Sequence, residues 1–295
     1  MPPQPPTSTR LNPITPPESD PFMYGWREIT TELADGTVRN ERFPLTLEDI
    51  LHPQVGDFRV HTSDHERFCA YLYVVFKALI AKIKGAIVLH DVRVDWGVDD
   101  IRPHGPDIAV IFDVAKQKDW STFRSQDEGT KPSIVVEITS PKTRNVDLVD
   151  KFDEYQDAGL PLYFIVDNYK RRGKKLRRLL GYELTEDGYK QLPSNANGQL
   201  WIAPLKVWLG LEGLELYCYD QLGERIGDYT EINQQLAAAM QRAEDAESRA
   251  KDAESRVATA ESRAEQELQA RLDAEEKLAQ MQAELERLRR QADSG

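Results

Sequence analysis

Pro132-Ser133-Ile134-Val135-Val136-Glu137-Ile138-Thr139-Ser140-Pro141 is the run from which the fold is read. Ile and Val suit a pleated, covered surface, and the Ser-Pro pair ends a hydrogen-bonded ladder, so the spacing predicts a buried strand with Glu137 at its carboxyl end. Upstream, Gly105-Pro106-Asp107-Ile108-Ala109-Val110-Ile111-Phe112 has the same character, with Asp107 opening the apolar run. Two acids on neighbouring core strands point to a metal. Downstream, Asp147 to Ala158 carries Leu148, Phe152 and Tyr155 on one helical face and stops at Gly159, a glycine C-cap. Leu162-Tyr163-Phe164-Ile165-Val166 then predicts another strand, ending at Asp167. Strand, helix and strand in that order imply a parallel pair with a right-handed crossover, so the fold class is α/β.

Around this centre, Ser63 and Glu66 form a capping-box pattern, and Phe68, Leu72, Val75, Phe76, Leu79, Ile80 and Ile83 recur at helical spacing up to Gly85. One amphipathic helix of about twenty residues is expected. His65 and Glu66 lie in its first turn, where they either face a site or, for Glu66 especially, cap the helix. Ala86–His90 and Val92–Trp96 read as strands, and Lys116 to Lys131 as a charged loop. Further strands are expected at Leu179–Leu184, Tyr189–Leu192 and Leu214–Tyr219, with Trp201 and Trp208 supplying packing. Between residues 22 and 60 short elements are expected near Tyr24-Gly25-Trp26 and Leu45–Ile50, in an arrangement the sequence does not define.

The chain has 295 residues, 40% of them hydrophobic and 30% charged, and its net charge of −12 argues against a protein that coats nucleic acid non-specifically. A local basic cleft is still compatible with that charge. The one dense basic run, Lys170-Arg171-Arg172-Gly173-Lys174-Lys175-Leu176-Arg177-Arg178, reads either as a phosphate-contacting hairpin or as a solvated turn. Cys69 and Cys218 lie far apart in apolar segments and read as buried thiols in a reducing compartment. No run approaches the roughly 18 apolar residues of a membrane helix, and the N-terminus lacks a signal pattern, so the expected location is cytoplasmic and away from membranes.

Three regions follow: a Pro-rich N-terminus over 1–21, expected to be disordered, a globular domain over 22–230, and a helical tail over 231–295. In the tail, Ala246-Glu247-Ser248-Arg249, Ala253-Glu254-Ser255-Arg256 and Ala260-Glu261-Ser262-Arg263 repeat with a period of seven. The seam continues later through Leu278, Met281, Leu285 and Leu288, with a stutter near Leu268 and Leu272. Residues 236–292 as a helix would extend roughly 85 Å. Such a seam reads as a coiled coil joining a homo-oligomer, and otherwise as a solvated single helix held by Glu-Arg pairs.

Pro106-Asp107, Val136-Glu137-Ile138-Thr139-Ser140-Pro141-Lys142-Thr143-Arg144, Asp147, Lys151, Tyr155, Ala158-Gly159 and Tyr163-Phe164-Ile165-Val166-Asp167 together resemble the Uma-two restriction endonuclease family, a branch of the PD-(D/E)XK nuclease superfamily. The similarity covers roughly residues 43 to 220, and the family's Ala-Glu-Arg tails are similar to 236–292. The resemblance implies a restriction-endonuclease-like mixed β-sheet flanked by helices, with a Mg²⁺ (or Mn²⁺) dependent phosphodiesterase site acting on DNA. It further implies Asp107 and Glu137 as the paired acids, with Ile138 beside them as a metal-binding position. Thr139 stands where the superfamily has a lysine, and Lys151 on the following helix fills that role, ahead of Lys142. His65 matches a histidine common at the start of the first long helix, whereas the usual Glu-containing strand before it has no counterpart in Gly56-Asp57-Phe58-Arg59-Val60.

The expected function is thus a metal-dependent endonuclease in which Lys151 positions the attacking water and Lys170, Arg171, Arg172, Lys174 and Lys175 contact phosphates. The alternative is a catalytically inactive binding or scaffold module that keeps the nuclease fold and works through its tail.

Overall fold

The computed structural model describes residues 20–292, so the expectation for the Pro-rich N-terminus lies outside the described residues except at 20 and 21. The segment whose arrangement the sequence left undefined folds as an antiparallel sheet. Strands β1 (Gly25–Glu32), β2 (Val38–Pro44) and β3 (Asp57–Arg59) pair in the order β2-β1-β3, with a short helix α1 (Leu47–Leu51) before β3. Gly25, at φ +111°, allows β1 to pass against β3, since a Cβ there would stand 1.8 Å from the Phe58 carbonyl oxygen. Arg27 ties the sheet to α1 through Asp57 (2.6 Å) and Asp49 (2.8 Å).

Helix α2 (Ser63–Ile80) follows and is shorter than the periodicity predicts. Its cap is Thr62, whose hydroxyl accepts the His65 N–H (3.3 Å), and not Ser63. The two hydroxyl residues are adjacent, and the one left outside the helix is the one that caps it. Next come β4 (Ile87–His90), β5 (Arg93–Asp95) and β6 (Ile108–Ile111). The charged segment expected as a loop contains β7 (Thr122–Arg124), parallel to β5, and a helical turn α3 (Ser125–Glu128). Phe123 anchors it in the core, an apolar signal outweighed in the sequence by its charged neighbours.

The predicted centre forms β8 (Pro132–Ile138), a five-residue π-helical turn over Val146–Asp150, α4 (Lys151–Asp157) and β9 (Leu162–Arg171). Strands β8 and β9 pair in parallel. Strand β10 (Lys174–Thr185) returns along β9 through a turn at Arg172-Gly173, and β11 (Gly188–Gln191) completes a mixed six-stranded sheet in the order β11-β10-β9-β8-β6-β4. Strands β12 (Leu200–Ile202), β13 (Val207–Glu212), β14 (Glu215–Tyr219) and β15 (Arg225–Ile226) make a further antiparallel sheet. There the rings of Trp201 and Trp208 meet across β12 and β13 at 4.9 Å.

Alternation along β8 sets the layers. Ile134, Val136 and Ile138 point into the core formed with Phe68, Leu72 and Phe76 of α2 and with Leu209 and Leu216 of the second sheet. Val135 points the other way, against Tyr155, Ala158 and Leu160. Both faces of the central sheet are therefore covered, which is why its inner strands read as continuous apolar runs. Cys69 and Cys218 are buried and unpaired.

The chain divides into two units, with the boundary between Ile226 and Gly227. In the second, α5 (Tyr229–Ala292) is one continuous helix of 64 residues. Val257, Leu268, Leu272, Leu278, Met281 and Leu285 are all more than half exposed on it. Among the described residues no helix is long and apolar enough to cross a membrane.

Candidate active site

Antiparallel pairing of Ile108 with Val136 sets Asp107, the residue before β6, across from Glu137 of β8. The Asp107 N–H points at Glu137 Oε2 (3.3 Å), and the Ile138 N–H donates to Asp107 Oδ2 (2.7 Å). Both carboxylates are buried at the end of the sheet, where the first turns of α2 and α4 arrive from opposite faces. From α2, His65 Nε2 lies 3.1 Å from Asp107 Oδ2. From α4, Lys151 Nζ lies 2.9 Å from Glu137 Oε1 and 3.1 Å from Asp147 Oδ1. Asp107, Glu137, Lys151 and His65 are thus brought together, and Ile138 joins them through its backbone, since its side chain offers no ligand atom.

Two residues complete the cluster. Asp147 is a third buried carboxylate, and Tyr155 donates its hydroxyl to Glu137 Oε1 (2.8 Å). The four-residue spacing of Asp147 and Lys151 was the sequence signal for the first, because positions i and i+4 share a helix face. Thr139 is buried and bonds to the Asn168 backbone of β9. Its hydroxyl accepts the Asn168 N–H (2.8 Å) and braces β8 against β9. Glu66 is exposed, with His65 Nδ1 3.8 Å away and His61 also within 4.8 Å.

Burial raises the free energy of every charge here, and the neighbours decide the outcome. For Asp107, burial is outweighed by the His65 imidazolium, Lys151 and the Ile138 N–H, which hold its carboxyl well below the usual range. For Glu137, burial, reinforced by Asp107 and Asp147, wins over Lys151 and pushes the carboxyl up. Asp147 moves up too, again chiefly through burial. Burial works against the Lys151 ammonium, but Glu137, Asp147 and Asp107 reverse the effect and raise it. His65 is likewise pushed up to about 9, Asp107 overcoming burial. Three carboxyls and two cations thus share one buried cluster in which burial disfavours the ionised forms of Glu137 and Asp147 while Asp107 stays ionised.

The donor set, three carboxyls on one cavity, fits a hard divalent cation, which takes oxygen ligands and would favour their ionised forms. Asp107 Oδ1 and Asp147 Oδ2 carry no hydrogen bond or ion pair among the described residues, and both side chains line one cavity with Glu137 and Ile138. His65, Cys69 and Asp107 also offer ligand atoms within 4.8 Å of one another. Burial, however, pushes the Cys69 thiol far up, so it remains a neutral and poor ligand.

The cavity, about 370 Å³, is also lined by Tyr24, Arg59, His61, Lys142 and Lys170. His61 stacks on His65 at 4.2 Å, and burial and His65 hold it below its ordinary value. Of the predicted phosphate contacts, Lys170 reaches the cavity. Arg171, Arg172 and Lys174 are exposed at the β9–β10 turn, and Lys175 pairs with Asp64 at the start of α2. Behind Tyr155 lies a second polar layer. The Trp96 N–H donates to His104 Nδ1 (2.8 Å), and His104 Nε2 stands 2.9 Å from Glu154 Oε2, within ion-pair range but outside hydrogen-bond alignment.

No curated protein matches the chain. A solved structure described as a putative nuclease belonging to DUF820 from Anabaena variabilis ATCC 29413 is similar at 11% identity, with 55% of this chain and 91% of that one covered and a TM-score of 0.38. The model of the Uma2 family, described as "putative restriction endonuclease", matches residues 56–216, more than half of the chain and a span that contains Asp107, Glu137 and Lys151; the chain belongs to that family.

Proposed function

We propose that the protein is a metal-dependent endonuclease that hydrolyses DNA phosphodiester bonds at the Asp107–Glu137–Lys151 cluster. The observation that carries this reading is the meeting of those three side chains, from separate elements, on one cavity wall. Asp107 and Glu137 would hold a Mg²⁺ or Mn²⁺ ion with the Ile138 carbonyl, and Asp147 offers a further oxygen. Such an ion, when bound, polarises the phosphoryl oxygen and offsets charge in the transition state. Lys151, raised above its ordinary range, stays protonated, so it orients the attacking water and answers the developing negative charge instead of acting as a base. His65 keeps Asp107 ionised and oriented. Water forms the new bond to phosphorus as the bond to the leaving sugar oxygen breaks, and the water's proton replaces the one that oxygen requires. Lys170 and the exposed cations of the β9–β10 turn serve as phosphate contacts.

Helix α5 is the proposed oligomerisation element, because its uncovered apolar stripe gains burial only against another helix. Two sites in one assembly would permit cleavage of both strands. The free buried thiols suit a reducing compartment, and the reading places the protein in the cytoplasm.

One observation favours an inactive binding module: Lys151 already bridges Glu137 and Asp147 without an ion. A plasmid-nicking assay separates the two readings. Nicking with Mg²⁺ or Mn²⁺ that is lost in Glu137→Gln supports the enzyme. An absence of nicking together with an absence of metal binding at millimolar concentration supports the module.

A further inference from the structure

The cavity above the acids has two chemically different sides. One holds the carboxylates and, at its rim, Lys142 and Lys170, both exposed and without an ion-pair or hydrogen-bond partner among the described residues. The other is built by the N-terminal sheet, where Met23 and Tyr24 lead into β1 and Val60 follows β3. Tyr24 is half-buried, yet among the described residues it has neither a ring partner nor a hydrogen bond to its hydroxyl. An aromatic side chain without a ring partner, lining a cavity with two unpartnered ammonium groups at its rim, suits the stacking of a nucleobase.

Size sharpens the point. About 370 Å³ lies in the range of pockets for small molecules. It can take one nucleotide, whereas bases inside an intact duplex keep both faces stacked and present none to Tyr24. We propose that the cavity receives an unpaired nucleotide, with its base against Tyr24 and its phosphate at Lys142 and Lys170, so that the preferred substrate is a single-stranded or locally unpaired nucleic acid. This inference rests on the nuclease reading above.

The test uses the full-length protein, a labelled single-stranded oligonucleotide and its duplex, with binding followed by anisotropy in Ca²⁺ and cleavage in Mn²⁺. The single strand is expected to bind tighter and be cut faster than the duplex. Tyr24→Ala should weaken single-strand binding about tenfold while Tyr24→Trp retains it, the loss expected of one base–aromatic stack. A duplex bound and cut as well as the single strand, or a Tyr24→Ala protein with the wild-type circular dichroism spectrum and undiminished binding, would overturn the inference and leave the nuclease reading intact. Failure to bind or cut either nucleic acid in any divalent metal would overturn both.

Discussion

Lys151 Nζ lies 2.9 Å from Glu137 Oε1 with 3% and 1% of the two side chains exposed, so the ammonium of α4 is a fixed part of the carboxylate cluster and not a surface lysine passing by. Removing one partner of a buried ion pair leaves the other charge uncompensated, at a cost of about 3–5 kcal/mol. Lys151→Met should therefore lower the melting temperature measurably and also abolish nicking. If the variant melts like wild type, the ammonium is not holding the cluster.

Tyr155 acts through Glu137 and is a positioning residue, its hydroxyl 2.8 Å from Oε1. Tyr155→Phe deletes one buried hydrogen bond and is expected to cost about 0.5–1.5 kcal/mol of stability. In steady-state kinetics kcat should fall while KM stays near its wild-type value, because the hydroxyl touches the acid and not the cavity rim. A change confined to KM would place Tyr155 in substrate binding.

His104 contributes an acid-side loss of stability. Burial pushes it down to about 4, against an ordinary value of 6.5, and the indole N–H of Trp96, which can only donate, fixes Nδ1 as the acceptor of a neutral ring. Below pH 6.5 the unfolded chain takes up a proton that the folded protein refuses, so stability is full above that value and falls as the pH drops toward about 4. The loss is about 3 kcal/mol, taking 1.36 kcal/mol per pH unit of displacement. Glu137 and Asp147, raised by burial, contribute with the opposite sign over part of this window, so the difference between the urea-denaturation curves of wild type and His104→Gln from pH 7 to 4 reads the His104 part.

The basic turn divides by position. Lys170 lines the cavity whereas Arg172 is exposed at the tip between β9 and β10. Lys170→Ala should reduce the salt-dependence slope of DNA binding by about 1, as for one lost phosphate contact, and lower the cleavage rate. Arg172→Ala should change the slope at most, with cleavage unaffected at saturating DNA. Equal effects of the two substitutions on cleavage would remove Lys170 from the site.

The centre of the fold was legible because its signals are local. Ile134 to Val136 drive into Glu137, Leu162 to Val166 repeat the pattern, and the helix between them ends at a glycine with φ +71°. Asp107 and Glu137 were readable as partners because acids on covered strands are costly without company. The cap of α2 was misplaced by one residue, since Thr62 and Ser63 are chemically alike and only backbone conformation separates them. The wall made by Met23, Tyr24, Arg59 and His61 gave no such signal. It depends on β1 reaching β3 more than thirty positions later and on Arg27 clasping Asp49 and Asp57, contacts with no periodicity to betray them. Phe123 was lost for the opposite reason, a single apolar anchor within a charged segment.

The central claim is that Asp107 and Glu137 jointly hold a divalent ion that the chemistry requires. Calorimetric titration of Mn²⁺ into wild type, Asp107→Asn and Glu137→Gln, with plasmid nicking followed on the same samples, tests it most directly. The account predicts one Mn²⁺-binding event and nicking in wild type, both lost in each variant while the circular dichroism spectrum is unchanged. Nicking that persists in either variant, or metal binding indifferent to both substitutions, would contradict it.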